Sequence, residues 1–513
     1  MGFFTTLVII LFIIFFLNRY YLSYWRRRRF PQNDNPNFLI GDIKKMFTGK
    51  STIYDILYDT YMAKRGSKVF GIYLSYRPVL VVNDPVLIQD VLIKDFNTFH
   101  DRGLPVNEEK DLLSGHLFTL AGQKWRDLRV KLGPVFSSGK LKGMYPTIQN
   151  NTKALEKYLT ENVKSGNSVF EFRDLLARLT IDIISSVAFG VDGHCITDKN
   201  SAFRDFASKI FEKSLRMFVV GFLMIFCPNI FSKLKFRSVP LSNEIFVTGM
   251  VKDTVEYREK NNIQRKDLMQ LLIQLKNNGY VSVDRDEKVE DQQKIKNFTM
   301  NDIAAQCYIF FIGGFDTSSS TMTFCLYEFC KNPEIQAKVH KEIDEILENS
   351  EDGNFTYDMM NDMKYLECVV NESLRKYPIA PLLLRESNKD YTFAGTNLTV
   401  EKGTMILIPV LALHRDPNIY ENPMEFIPER FLDSPTGSGN TNGSFYLPFG
   451  DGPRRCIGER MGKIQTKLGL ATIMAKFRVE FTDEPIDDIK FDKTNHFMLA
   501  TDMPFNLKLT PRF

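Results

Sequence analysis

Two short stretches carry the residue types best suited to chemistry. The first is Phe449-Gly450-Asp451-Gly452-Pro453-Arg454-Arg455-Cys456-Ile457-Gly458. Its glycines and proline make a tight turn ahead of Cys456, and the amphipathic run from Ile457 to about Lys476 predicts a helix. A sulfur placed there stands at a helix N-terminus with Arg454 close by. Both favour thiolate over thiol, and a thiolate binds a soft metal centre. The plain alternative is a buried free cysteine in an ordinary loop. The second stretch is Gly313-Gly314-Phe315-Asp316-Thr317-Ser318, inside a run that otherwise reads as helix. Two glycines there cost about 1 kcal/mol each against alanine. That cost points to close packing against another helix or to a flat ligand lying on the backbone.

The elements that must hold these residues can be read around them. Thr299-x-x-Asp302 resembles a capping box and Asn332-Pro333 a stop, so the helix should run from Met300 to Lys331, about 48 Å. Trp125 and Arg129 sit four apart on a helix and share a face. Glu372 and Arg375 sit three apart on another, ended by Tyr377-Pro378. Met405 to Leu411 reads as a strand, with His414-Arg415-Asp416-Pro417 turning away. The alternating stretch Lys68 to Val82 predicts a hairpin and Asp84 to Asp95 a helix, followed by a polar segment from His100 to Gly122. Met217 to Phe226 is too short to span a bilayer, and a core helix is its default reading. Asn277 to Lys296 reads as an exposed loop.

Hydrophobic residues make up 44% of the 513 and charged residues 25%, a globular composition with no break that would support several domains. A net charge of +4 argues against nucleic acid as a partner. The seven cysteines have no framework spacing, which fits reduced thiols in a cytosol-facing domain. The N-terminus departs from this picture. Phe3 to Leu17 is apolar but for Thr5 and Thr6, then come Arg19, Tyr20, Tyr21, Tyr24 and Trp25, and finally Arg26-Arg27-Arg28-Arg29. A helix from Gly2 to about Asn18, with a tyrosine/tryptophan belt, predicts an uncleaved anchor over residues 1–25. Residues 26–40 would be a basic stop-transfer segment and hinge that leaves the rest in the cytosol.

The pattern Phe449-x-x-Gly452-x-Arg454-x-Cys456-x-Gly458 resembles the haem-ligand loop of the cytochrome P-450 family. Gly313 to Ser318 resembles that family's oxygen-activating motif, and the motifs from Trp125 to Gly458 follow the family's order. Together with the anchor, Lys364-Tyr365-Leu366-Glu367-Cys368 and Ala412 to Pro417, the chain looks most like the microsomal branch, and within it the insect detoxification group. The resemblance implies a mainly α, single large helical domain with small β-sheets over residues 41–513. It implies haem b with Cys456 as axial ligand, and Arg454, Trp125, Arg129, Phe449, Gly450 and Arg102 around the cofactor. Asp316 and Thr317 would be catalytic, handling protons. Ile309, Ile312, Gly313 and Ala380 would face the substrate, with Ala380 to Leu383 and His496 to Leu499 lining the pocket. Glu372, Arg375 and Arg430 would form a structural cluster, and His414 is either a propionate contact or an ordinary polar turn.

The implied activity is monooxygenation of a small apolar substrate, xenobiotic or lipophilic and endogenous, with O2 and NADPH-derived electrons. No nucleotide-binding glycine motif follows a strand, so electrons should come from a partner. The resemblance names NADPH–cytochrome P-450 reductase, with cytochrome b5 as a second donor, on the endoplasmic reticulum membrane. Arg126, Lys131, Arg455 and Lys463 could form a basic docking face, against the plainer reading of a solvated charged surface. The family also suggests that Met217 to Phe231 dips into the membrane interface. Two rivals share the sequence signals: a haem-thiolate isomerase or dehydratase, and a non-enzymatic haem carrier or gas sensor.

Overall fold

The computed structural model describes residues 2–210, 212–279, 298–350, 352–434, 445–483 and 486–513. Most of the loop expected from Asn277 to Lys296 lies outside them. The described chain is mainly helical with three small sheets. The strands are β1 (Val69–Leu74), β2 (Arg77–Val82), β3 (Val169–Glu171), β4 (Leu383–Glu386), β5 (Tyr391–Thr392), β6 (Thr399–Val400), β7 (Met405–Ile408), β8 (Phe477–Phe481) and β9 (Asn506–Pro511). The main sheet has the order β1-β2-β7-β4. The expected hairpin pairs Val69 with Val82 and Leu74 with Arg77, and β7 joins it in parallel, Val79 opposite Met405. β7 stops at Ile408 rather than Leu411, because the chain turns into a short helix, Val410–His414. The helix expected after Asp84 starts at Pro85 and finishes in a π-turn, Asp90–Lys94.

The central helix runs from Met300 to Lys331. Its start is fixed as the sequence indicated: Asp302 N–H donates to the Thr299 hydroxyl, and Thr299 N–H donates to the Asp302 carboxylate. Pro333 opens the next helix. Around the central helix pack the helices Phe172–Ile184, Lys364–Lys376 and Glu459–Lys476. Glycine sets the spacing at two of these contacts. A Cβ on Gly314 would lie 2.7 Å from Ile184 Cδ1, and one on Gly469 2.6 Å from Met322 Sδ.

The N-terminal region differs from expectation. The first helix extends to Tyr21, and Phe3–Tyr21 is long and apolar enough to cross a membrane. Trp25, expected in an interfacial belt, is fully buried instead. Its indole N–H donates to the Ile72 carbonyl at 3.2 Å, and its ring fills the space above Gly71, where a Cβ would come within 2.1 Å. Phe30 packs against it, ring centroids 5.0 Å apart, and Gly71 N–H donates to Pro31 O at 2.7 Å. Nor do residues 30–40 hang as a free hinge at their start. Phe30 to Gln32 cover edge strand β1, and Tyr73 Oη–H donates to Gln32 Oε1. An aromatic beside an arginine run reads as an interface residue from sequence, and only the long-range glycine slot shows otherwise.

The segment from Met217 also departs from its default reading. It forms the helix Leu215–Phe226, in which Val220 alone is buried. It is not a core helix.

Candidate active site

The loop before Cys456 is built by its glycines. Gly450 and Gly452 adopt φ of 71° and 68°, a region costly for any residue with a Cβ. At Gly452 a Cβ would also sit 1.9 Å from the Leu92 carbonyl, so the loop is pressed onto the π-turn. Gly450 N–H donates to Leu447 O, and Cys456 N–H closes the loop onto Phe449 O at 2.9 Å. The helix Glu459–Lys476 follows. Cys456 keeps accessible surface although protein encloses it, so its thiol borders an internal cleft. Burial pushes this thiol up, opposed by a Gly458 N–H bond and by the charges of Arg129 and Arg102. The neighbouring positive charge expected from Arg454 comes instead from Arg129 and Arg102, because Arg454 is directed elsewhere.

Arg454 is buried, its guanidinium stacked 3.9 Å over the Trp125 ring. It donates to His100 O and Leu120 O, both at 2.7 Å, and lies 3.5 Å from the Asp101 carboxylate. Burial and the charges of Arg385 and Arg129 bring it down to about 9, against the pull of Asp101. Arg102 donates to Phe118 O at 2.8 Å and sits over the Phe118 ring. It is held well below its ordinary value by burial, then by Arg385, Arg454 and Arg129. Arg385, on β4, is buried, down to about 10, and its Nε has no partner among the described residues. Four guanidiniums thus crowd one region, and Asp101 lies beside one of them, Arg454.

The middle of the central helix supplies another wall. Ile309, Ile312, Gly313, Asp316 and Thr317 keep accessible surface on a helix whose flanks are buried. These positions share one face, spaced three and four apart. A Cβ on Gly313 would meet nothing within 4 Å, whereas Gly314 is jammed against Ile184. The two glycines therefore do different jobs, one opening the cleft and one allowing close packing. Thr317 Oγ1–H donates to Gly313 O at 2.7 Å, which leaves its lone pairs free toward the cleft. Burial raises the Asp316 carboxyl to about 6, with Arg173 pulling the other way. Ala380 is half-buried, next to the Leu499 N–H that donates to Ile379 O. Leu383 comes within 3.6 Å of the Gly450 Cβ position, so this strand borders the cysteine loop as well.

Glu372 and Arg375 are fully buried and joined by two hydrogen bonds of 2.7 and 2.8 Å. Arg375 also donates to His414 O, Pro423 O and Glu425 O. Arg430 completes the group more loosely, 3.5 Å from Glu372 and bonded to Asn422 O. Among the described residues His414 meets no acid. Nδ1 faces Arg375 O at 3.2 Å and Nε2 accepts from Leu447 N–H at 2.9 Å, which fixes the tautomer. It is a strut between the Glu–Arg group and the cysteine loop.

Residues 31–507 match the family model described as Cytochrome P450. The chain belongs to the cytochrome P450 family. It is 39% identical over 479 residues to Cytochrome P450 6a2 of Drosophila melanogaster, covering 91% of this chain and 92% of that one. Against Cytochrome P450 6A1 of Musca domestica it is 39% identical over 464 residues, 90% and 88% of the two chains. Cytochrome P450 6d3 of Musca domestica gives 39% over 452 residues, 86% of each. The chain is thus a P450 monooxygenase with insect relatives, and haem-thiolate is the cofactor of its family.

The residues present fit that cofactor. A haem brings two propionates, and the P450 gathers four guanidiniums in one region, those of Arg385 and Arg454 buried and that of Arg385 with an orphaned N–H, with the Asp101 carboxylate beside Arg454. The sequence reading missed Arg385. Its signal was a charge directly after three leucines, Leu382-Leu383-Leu384-Arg385. It missed His116 too, a buried histidine held near 3 by desolvation, with Nδ1 on the Thr119 hydroxyl and its ring beside Tyr308. A single histidine in a loop gives no such signal.

Proposed function

We propose that this P450 is a membrane-anchored monooxygenase that inserts one atom of O2 into a small lipophilic substrate, xenobiotic or endogenous, with NADPH electrons delivered by cytochrome P-450 reductase. Cytochrome b5 is a second donor in this reading, and the setting is the endoplasmic reticulum with the domain facing the cytosol. The enclosed yet accessible Cys456 thiol beside a buried excess of arginine carries it. Cys456 would hold the haem iron, with Arg102, Arg129, Arg385, Arg454 and Trp125 at the propionates. Haem supplies the oxidising chemistry when bound.

The chain's own residues supply the rest. Thr317, its hydroxyl proton committed to Gly313 O, accepts a hydrogen bond from water in the cleft. Asp316, raised to about 6, can hold or release a proton near neutral pH. Ile309, Ile312, Gly313 and Ala380 offer an apolar wall that positions the substrate and excludes water. Glu372, Arg375 and Arg430, through the His414 strut, keep the cysteine loop in place.

The proposed docking face for the reductase shifts from the one expected. Lys131 is buried, Arg455 is paired with Glu459 and Lys463 with Glu367. Among the described residues Arg126 and Arg460 make only neutral contacts, with Asn97 and Ser138, and are the better candidates to meet an acidic partner. The helix Leu215–Phe226 supports membrane contact. Leu215 is 79% and Phe218 53% exposed, and Phe222 reaches Phe47, itself largely exposed.

The test is turnover with purified reductase, NADPH and isotopically labelled dioxygen. Label in the product supports the proposal. Unlabelled product favours an isomerase or dehydratase, and tight haem binding without substrate-dependent NADPH use favours a carrier or sensor. A red-shifted absorption of the reduced, CO-treated protein that survives Cys456→Ala removes the thiolate assignment.

A further inference from the structure

Gln465 lies on the helix after the cysteine loop, nine residues beyond Cys456, and is 1% exposed. Its amide nitrogen donates to Gly314 O at 2.6 Å and also reaches Ser318 Oγ. A carbonyl can only accept, so the nitrogen end of the amide must face the central helix. That leaves Gln465 Oε1 buried without a partner among the described residues. A buried amide that gives up one bond to make two others with a neighbouring helix is held for what those two do.

What they do is local. Gly313 O takes the Thr317 hydroxyl from the cleft side, while the next carbonyl, Gly314 O, takes Gln465 from the opposite helix. Two successive carbonyls thus carry a side-chain donor at the one turn that lacks side chains of its own. Extra donors of this kind draw carbonyls outward and loosen the helical ladder. Asp316 follows within two residues and Thr317 within three. Ile184 blocks the turn from moving toward its own helix, since Gly314 is already in close contact there.

We propose that Gln465 is a positioning residue that fixes the glycine turn of the central helix relative to the cysteine loop, and so sets where Asp316 and Thr317 present their protons. This rests on the proton-handling role proposed above for that pair. Any loss at Gln465 should appear first as oxygen reduced without product, not as lost haem or lost substrate.

Gln465→Met keeps the length of the side chain and removes both donors, and Gln465→Glu keeps its shape with at most one donor. Each is prepared as the haem-loaded full chain beside Thr317→Ala. Backbone amide exchange over residues 313–318 is expected to quicken about tenfold in Gln465→Met, and less in Gln465→Glu, with the ends of the central helix unchanged. Product formed per NADPH should fall several-fold and hydrogen peroxide rise, with substrate affinity within about twofold of the parent. Unchanged exchange in both variants overturns the inference. So does faster exchange with unaltered coupling, which would make Gln465 a purely structural contact. If Thr317→Ala itself stays fully coupled, the proton role of the pair fails, and Gln465's hold on the turn is then decided by exchange alone.

Discussion

Arg385 shows how a residue's role can be invisible along the chain and plain in space. Leucines precede it and Glu386 follows, so it reads as half of a charged pair at a strand end. In the fold it is buried, with Arg102 and Arg454 near enough to feel its charge, and its Nε is left without an acceptor. A buried cation in that position is costly unless an anion meets it. Haem loss to a scavenging globin is expected to be about tenfold faster in Arg385→Leu, since a charge-assisted hydrogen bond is worth roughly 1.5–3 kcal/mol. Loss at the parent rate would exclude Arg385 from the cofactor site. Cys456, Asp316 and Thr317 were legible because their signals are local: turn residues, a helix terminus, and glycines in a helix interior. Trp25 and Gln465 were not, because their partners at Ile72 and Gly314 are set by tertiary packing.

The central helix was readable to the residue at both ends, since caps are short-range chemistry, but the division of labour within its glycine pair was not. Gly313→Ala faces open space and should leave unfolding free energy unchanged or raise it by up to about 1 kcal/mol. It should also weaken substrate binding, because the new methyl projects into the cleft. Gly314→Ala meets Ile184 and should cost roughly 1–3 kcal/mol. Denaturant titration separates the two, and equal costs would refute the assignment of faces. The short helix ending at His414 makes a second point at this scale. His414 is held near 3 by burial, then by Arg375, so it stays neutral in the folded protein. The unfolded chain takes up that proton near 6.5. Between those values the unfolded state binds more protons, so stability is complete above about pH 6.5 and falls as pH drops below it, by about 1.4 kcal/mol per unit. Urea titrations at pH 7.5 and 5.5 should show this, and His414→Gln should flatten the slope by about one proton. An unchanged slope would mean that His414 titrates alike in both states.

At the scale of the molecule, the first helix and the domain are one structure rather than an anchor on a tether. Asn18 is buried and its amide reaches the Tyr76 hydroxyl, Leu22 and Trp25 are in the core, and Phe15 stacks on Phe38. The sequence disclosed the apolar segment by length and composition, but it gave the wrong side of the boundary to Trp25. Because this junction is fixed, a first helix that enters a bilayer would also fix which surface of the domain faces it. The proposed membrane contact would extend over an apolar strip of Phe38, Phe47, Leu215, Phe218 and Leu234, all substantially exposed. Removing residues 2–17 spares Asn18 and the core contacts, so the shortened protein should fold and still bind neutral phosphatidylcholine vesicles through the strip. Burying a large apolar side chain contributes about 1.5–3 kcal/mol when complete, so partial insertion of three should be lost measurably on substitution. Leu215→Asp, Phe218→Asp and Leu234→Asp together, in the shortened chain, should lower vesicle partitioning at least about tenfold. Sedimentation with vesicles measures it. Partitioning that survives all three, or a shortened chain that never binds, would mean that the first helix alone meets the membrane and that this strip serves some other contact.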